Sequence, residues 1–367
     1  MARIAVDARP LSIPTTGIGR YTCAILERMV NSRHQWYLYS HQPLLKDFKG
    51  HSNVTVRCGN VQKSSIGSLF AQAFFPLWAS KDKVDIFWSP RHHLPLCLGK
   101  SVFKALTIHD LVWHKFPETM PYLGRLLERM LMPPSLKAAD AVIAVSDSTA
   151  QELQQAFSGC AGKIETVVEA PFLELVDKPS PLGDYFLFVG TLEPRKNLIR
   201  LLDAYALYQA RASQPLPLRI CGAKGWGLPE LEKIIGHLGL KEWVQILGYV
   251  ADDQLPQLYG GARALLIPSL YEGFGLPIVE AYSQGTPVMT SNRGAMAEVA
   301  GEAALLVDPE NEVSMAQALS VLTQDEEKVK CLQSRALKRA RYFSWDSAAA
   351  KTLSVLESCL SHQRLRA

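Results

Sequence analysis

The sequence predicts an α/β protein built from two doubly wound parallel-sheet domains. Strand-length apolar runs alternate with segments of helical periodicity along most of the chain. Many of these runs are apolar throughout, as in strands covered on both faces, rather than alternating. At 367 residues the chain also has room for two domains of ordinary size. In the first half, strands are expected over residues 4–6, 54–57, 86–89, 105–108 and 141–145. Helices are expected over 18–30 and 122–138, and from Ser146 or Ser148 through Leu153. Asp177-Lys178-Pro179-Ser180-Pro181-Leu182-Gly183-Asp184 combines proline, glycine and charge and is the expected linker. The second half opens on the apolar strand Tyr185-Phe186-Leu187-Phe188-Val189-Gly190. Strands follow over 218–221, 244–247, 264–267, 287–290 and 304–307, with helices between them and a helical tail over 346–360. The expected domains are therefore 1–178 and 184–345, followed by a terminal segment, 346–367. Open α/β sheets bind ligands outside the carboxyl ends of their strands, so two such domains face to face imply a cleft site.

Composition narrows the class. Apolar residues make up 48% and charged residues 20%, which describes a globular chain rather than a disordered one. No apolar run approaches the roughly 18 residues of a membrane span. The first residues enter a strand pattern directly, without a signal-peptide pattern. Seven scattered cysteines with no Cys-x-x-Cys pair argue against a disulfide framework or a zinc site, and point to the cytoplasm. The net charge of +4 is uneven: residues 1–130 hold 17 Lys and Arg against 8 Asp and Glu. That basic surplus suits anionic lipid headgroups at the inner face of the plasma membrane or a pyrophosphate-linked acceptor, and equally suits ordinary surface charge. The basic residues are dispersed and form no arginine-rich arm, so nucleic acid is not expected as a partner.

The most informative segment is Ser269-Leu270-Tyr271-Glu272-Gly273-Phe274-Gly275-Leu276-Pro277-Ile278-Val279-Glu280-Ala281. It follows the buried-strand pattern of residues 264–267. Pro277 suits the first helical position, where a missing N–H costs nothing. The amides of Phe274, Gly275 and Leu276 then stand at a helix N-terminus, a ready anion site, and Gly273 and Gly275 let a ligand approach the main chain. Glu272 precedes that helix and Glu280 ends its first turn. Phosphate on the amides with an acid on either side to grip hydroxyls describes a pocket for a sugar nucleotide. A second strand-to-helix loop, Thr191-Leu192-Glu193-Pro194-Arg195-Lys196-Asn197, offers the cations Arg195 and Lys196 to a diphosphate leaving group. Gly17 and Gly19 lie in a loop between the first strand and the first helix and permit close approach of phosphate or sugar. His109 and Asp110 end a buried strand. The histidine suits contact with a sugar hydroxyl or the acceptor, and the aspartate suits orienting it or taking a proton. His92 and His93 are candidates for an acceptor groove.

The Glu272-to-Glu280 segment resembles the Glu-x7-Glu motif of the retaining glycosyltransferases of family four, which adopt the GT-B fold of two Rossmann-like domains facing a cleft. Gly190 to Asn197 resembles that family's Gly-x-x-x-Pro-x-Lys-Asn/Gly segment, whose lysine, here Lys196, holds the donor pyrophosphate. Thr191 stands where the family often carries arginine, and Arg195 is the expected substitute. The Thr16-Gly17-Ile18-Gly19-Arg20 loop resembles the first-domain glycine loop, with Thr16 in place of its first glycine. His109 matches a cleft histidine, and Val250 lies where the main chain borders the nucleotide base. The resemblance implies that Glu280 grips the ribose and Glu272 the donor sugar. It implies no cofactor and no metal, and the second domain lacks an Asp-x-Asp motif. The implied reaction moves a hexose, mannose favoured, from a nucleotide-diphosphate sugar, GDP-mannose favoured, with retention. The implied acceptor is a sugar hydroxyl on a lipid-linked or surface polysaccharide precursor of the lipopolysaccharide O-antigen type. A nucleotide-sugar 2-epimerase and a non-catalytic sugar-nucleotide-binding module share this architecture. The intact acids and cations weigh against the module.

Overall fold

A computed structural model describes residues 1–13, 17–48, 50–61 and 66–364. Two fully parallel sheets account for its strands. The first contains β1 (Arg3–Asp7), β2 (Gln35–Ser40), β3 (Val54–Cys58), β4 (Ile86–Ser89), β5 (Phe103–Ile108), β6 (Ala141–Ala144) and β7 (Ile164–Thr166), in the order β3-β2-β1-β4-β5-β6-β7. The second contains β8 (Phe186–Val189), β9 (Leu218–Cys221), β10 (Val244–Gly248), β11 (Ala264–Ile267), β12 (Val288–Ser291) and β13 (Ala304–Val307), in the order β10-β9-β8-β11-β12-β13. Each sheet thus runs outward from its first strand in one direction and then reverses. The reversal leaves a crevice between β1 and β4 in one sheet and between β8 and β11 in the other. β4, β6, β11 and β12 are buried along their whole length, which is why the sequence shows them as unbroken apolar runs.

Two strands and one helix were not legible in the apolar pattern. β2 is Gln-Trp-Tyr-Leu-Tyr-Ser, carried by aromatics rather than branched aliphatics, and β7 is only Ile-Glu-Thr. The helix Gly67–Asp82 contains Pro76 and spreads its apolar residues around its circumference, so no single stripe marks it.

The chain divides into two compact units. One comprises Met1–Trp113, Tyr122–Glu169 and Trp345–Ala367; the other comprises His114–Pro121 and Ala170–Ser344. The stretch 177–184 therefore lies within the second unit. The terminal helix Trp345–Arg364 belongs to the first unit, where it packs on the helix Gly17–Met29. The Trp345 ring meets Tyr21 edge-on at 5.9 Å, and Arg28 pairs with Asp346. Buried His34 accepts from the Ala2 amide through Nδ1 and donates Nε2–H to Glu357 at 2.8 Å. Among the described residues no helix is long and apolar enough to cross a membrane.

Candidate active site

In the second unit, the loops leaving β8 and β11 emerge side by side, because these strands pair directly with Phe186 opposite Ala264 and Leu187 opposite Leu265. That is the reversal point of the sheet, and Arg195, Lys196 and Glu272 meet there. Glu272 accepts from Arg195 Nη1 through one carboxylate oxygen and from Lys196 Nζ through the other. Ser269 Oγ donates to the same carboxylate at 2.9 Å, and Arg195 Nη1 also reaches the Tyr271 carbonyl at 3.2 Å. Behind the pair, Glu193 holds Arg195 Nη2 at 2.6 Å. The lysine and glutamate side chains are only 9% and 10% exposed, so the interaction is largely dry. Burial pushes the Glu272 carboxyl up, but the two cations outweigh it and hold the group at about 2, so it is an anion at neutral pH. Burial pushes Lys196 below the usual lysine range, while Glu272 pulls it back.

The main chain around this cluster is tightly specified. Asn197 takes a left-handed conformation (φ 61°), and its side-chain amide donates to the Pro268 carbonyl at 3.1 Å and the Pro309 carbonyl at 2.6 Å. Its Oδ1 accepts from Arg200 at 3.0 Å. The Leu270 amide donates to the Arg195 carbonyl at 2.8 Å, tying the two loops backbone to backbone. A Cβ on Gly222 would stand 1.9 Å from the Gly190 oxygen, so only glycine lets the segments after β8 and β9 run this close.

The helix after β11 is Leu276–Ser283, with Gly275 (φ 108°) as its N-cap. Pro277 is its second residue, one place later than expected, where the missing N–H is equally harmless. Gly273 and Phe274 precede the cap. The Phe274 ring is core, edge-on to Phe343 at 5.8 Å. Glu280 is buried and accepts from Tyr259 Oη at 3.0 Å. Val250 follows β10 and directs its amide at the buried Cys221 thiol. It lines a groove with Tyr249, Gln254 and Gln257, and with Tyr185 and Arg219, whose guanidinium lies over the Tyr185 ring at 3.8 Å.

In the first unit, Gly17 opens the helix Gly17–Met29 and Gly19 lies buried in its first turn; Thr16 falls outside the described residues. His109 leaves β5 with both ring nitrogens engaged: Nδ1 faces Glu169 Oε1 at 3.0 Å and Nε2 faces the Pro90 carbonyl at 3.0 Å. Glu169, rather than Asp110, is therefore the carboxylate that orients the ring. Asp110 accepts from the Val112 amide at 3.1 Å, a local turn bond. His92 and His93 are buried and share Glu128 Oε2 at 3.3 and 3.0 Å. His92 Nε2 also accepts from the His109 amide, which places its proton on Nδ1, facing Glu128. Burial pushes Glu128 up, but the two histidines outweigh it and hold it well below the carboxylate range.

Sequence reasoning did not single out Glu169, Glu128, Glu193 or Tyr259. Glu169 carried one signal, an acid following Val167 and Val168. The two units are thus separate clusters: acid and cations in the second, histidines and acids in the first. Among the described residues no group of three or more His, Cys, Asp or Glu is arranged to hold a metal ion.

The comparisons with known proteins agree with this architecture. Residues 15–168 match the family described as Glycosyltransferase Family 4, and residues 179–339 match Glycosyl transferases group 1. The chain is 31% identical to O-antigen chain mannosyltransferase B of Escherichia coli, across 96% of this chain and 98% of that protein. It is 27% identical to O-antigen chain mannosyltransferase RfbU of Salmonella typhimurium, across 64% of this chain and 63% of that one. Among solved structures, sucrose-phosphate synthase from Thermosynechococcus elongatus superimposes with a TM-score of 0.78 at 19% identity, covering 99% of this chain and 100% of that one. HepE of Anabaena, solved with UDP and glucose, gives 0.76 at 20% identity, covering 98% and 100%. With a GT-B fold and a near full-length relative above 30% identity, the chain belongs to the family-four, group 1 glycosyltransferases.

Proposed function

We propose that the chain transfers a hexose, mannose favoured, from GDP-mannose to a sugar hydroxyl on a lipid-linked precursor of an O-antigen-type polysaccharide, with retention and on the cytoplasmic side. The observation that carries this reading is the dry meeting of Arg195, Lys196 and Glu272 at the reversal point of the second sheet. The O-antigen mannosyltransferases among its relatives support mannose and the acceptor class.

In the proposed reaction, diphosphate oxygens take over Arg195 and Lys196. Glu272, released from the cations, accepts hydrogen bonds from the donor sugar. Glu280 accepts from the ribose hydroxyls, the Val250 main chain borders the base, and the main chain from Gly273 to Leu276 meets sugar and phosphate. The bond from the anomeric carbon to the β-phosphate oxygen breaks, and its electron pair leaves on the diphosphate. The two cations stabilise that charge in place of a divalent metal. The acceptor oxygen bonds to the anomeric carbon from the same face and gives its proton to the departing phosphate. Gly17, Gly19, His109 and Asp110 serve the acceptor side, with Glu169 fixing the imidazole.

Purified protein incubated with GDP-mannose and a synthetic lipid-linked acceptor should release GDP and form an α-linked product, read by the anomeric coupling in NMR. A β-linked product, exclusive use of UDP-sugars, or isomerisation of the donor without acceptor would overturn the reading.

A further inference from the structure

The first sheet has its own reversal point, between β1 and β4, and the segments leaving those strands carry charge that the reaction above does not use. β1 and β4 pair directly, with Val6 opposite Trp88, so Asp7 and the loop after Ser89 emerge together. Asp7 is buried and engages both carboxylate oxygens with Arg9, whose Nε and Nη2 donate at 2.8 and 2.5 Å. Arg9 is buried too, and its Nη1 donates to the Gly67 carbonyl at 2.7 Å. Glu128, the other acid near this loop, is taken by His92 and His93.

Arg91 is the charge left over. It is partly buried and interacts through space with Arg9, Asp7 and Glu128, but among the described residues no acceptor pairs with its guanidinium. Burial and the Arg9 charge push it below the ordinary arginine range while the two acids pull it back, and the group stays a cation. The loop that carries it is fixed. Ser89 Oγ donates to the Arg91 carbonyl at 3.0 Å and to the His93 carbonyl at 2.7 Å, and the Pro90 carbonyl faces His109 Nε2 at 3.0 Å. Arg91 thus follows the residue that touches the imidazole. A cation drawn out of water without a counter-ion is costly unless a ligand brings the anion. The planar guanidinium fork matches phosphate oxygens.

We propose that Arg91 binds a phosphate of the acceptor, which makes the reversal point of the first sheet an anion subsite. Because Arg91 adjoins the contact to His109, that phosphate belongs to the reacting sugar or to the unit bonded to it. It is either the diphosphate bridge to the lipid or a phosphate monoester on the glycan. The inference rests on the acceptor reading given above and adds the charge that the acceptor carries.

The test compares three synthetic acceptors with one glycan: joined to the lipid through a diphosphate, through an uncharged ether, or through the ether with a phosphate monoester on the terminal sugar. The wild type should favour a charged acceptor over the ether about tenfold or more in kcat/KM, chiefly through KM. Preference for the diphosphate assigns the subsite to the lipid bridge, and preference for the monoester assigns it to the glycan. Arg91→Gln should erase the preference and Arg91→Lys should keep part of it. Should Arg91→Gln fail to fold, the partial loss in Arg91→Lys carries the comparison. Equal use of all three acceptors by the wild type overturns the proposal. An equal loss on all three in Arg91→Gln also overturns it, leaving Arg91 a role in the fold alone. Calorimetry with inorganic pyrophosphate, at GDP concentrations that saturate Arg195 and Lys196, tests the subsite without sugar transfer. Binding should be about tenfold or more weaker in Arg91→Gln, and no difference overturns the proposal. A chain that fails to use GDP-mannose would leave that titration unchanged, so the two readings fail separately.

Discussion

Replacing Glu272 by glutamine removes one negative charge from the cation cluster while keeping the shape of the side chain. The fall of this carboxyl from its ordinary 4.5 to about 2 corresponds to about 3 kcal/mol of preference for the ionised form in the folded protein. Because the folded value is depressed, that contribution is complete above pH 4.5 and is lost as pH falls toward 2. Glu272→Gln should therefore unfold about 3 kcal/mol more easily at pH 7, measured by urea titration of the second unit's transition, and the deficit should shrink below pH 4.5. The same change should tighten GDP binding a few-fold, since phosphate no longer competes with a carboxylate for Arg195 and Lys196, while sugar transfer falls. A deficit below about 0.5 kcal/mol at pH 7, or one equally large at pH 3, would refute the argument that paired charge holds this cluster together.

Lys196→Ala should lower turnover about a hundredfold or more, followed as released GDP, and a near-normal rate would contradict its role on the diphosphate. Glu280→Ala should weaken nucleotide binding by about 1–3 kcal/mol in calorimetry. Tyr259→Phe, which removes only the buried partner, should change it far less, and unchanged titration of Glu280→Ala would count against the ribose role. Gly222→Ala puts a methyl 1.9 Å from the Gly190 oxygen, so it should cost about 1–3 kcal/mol of stability and displace the Lys196 loop. An unaltered melting curve would show that the two segments separate freely.

What the sequence revealed followed from how apolar burial is written in it. β8 and β11 are short apolar runs, so the loops that follow them were identifiable, and with them Arg195, Lys196 and Glu272 as neighbours of a sheet end. Glu169 was hidden because its partner His109 is 60 residues away, and no periodicity links a strand end to a distant acid. Asp110 was the nearer choice in sequence, but its carboxylate is turned back to the Val112 amide. Glu128 sits among leucines; its carboxylate turns to His92 and His93, while Leu123, Leu126 and Leu127 of the same helix are exposed. Rotation about a helix axis depends on what covers the helix, and a single sequence does not record that.

Apart from the short excursion His114–Pro121, the chain passes from the first unit to the second after Glu169 and returns at Trp345. On a ribosome the second unit is therefore complete while the first still lacks the helix that covers Gly17–Met29 and the carboxylate that caps His34. The two units mature in the reverse of their reading order. Loss of a few residues around Trp345 would damage the half of the molecule synthesised first.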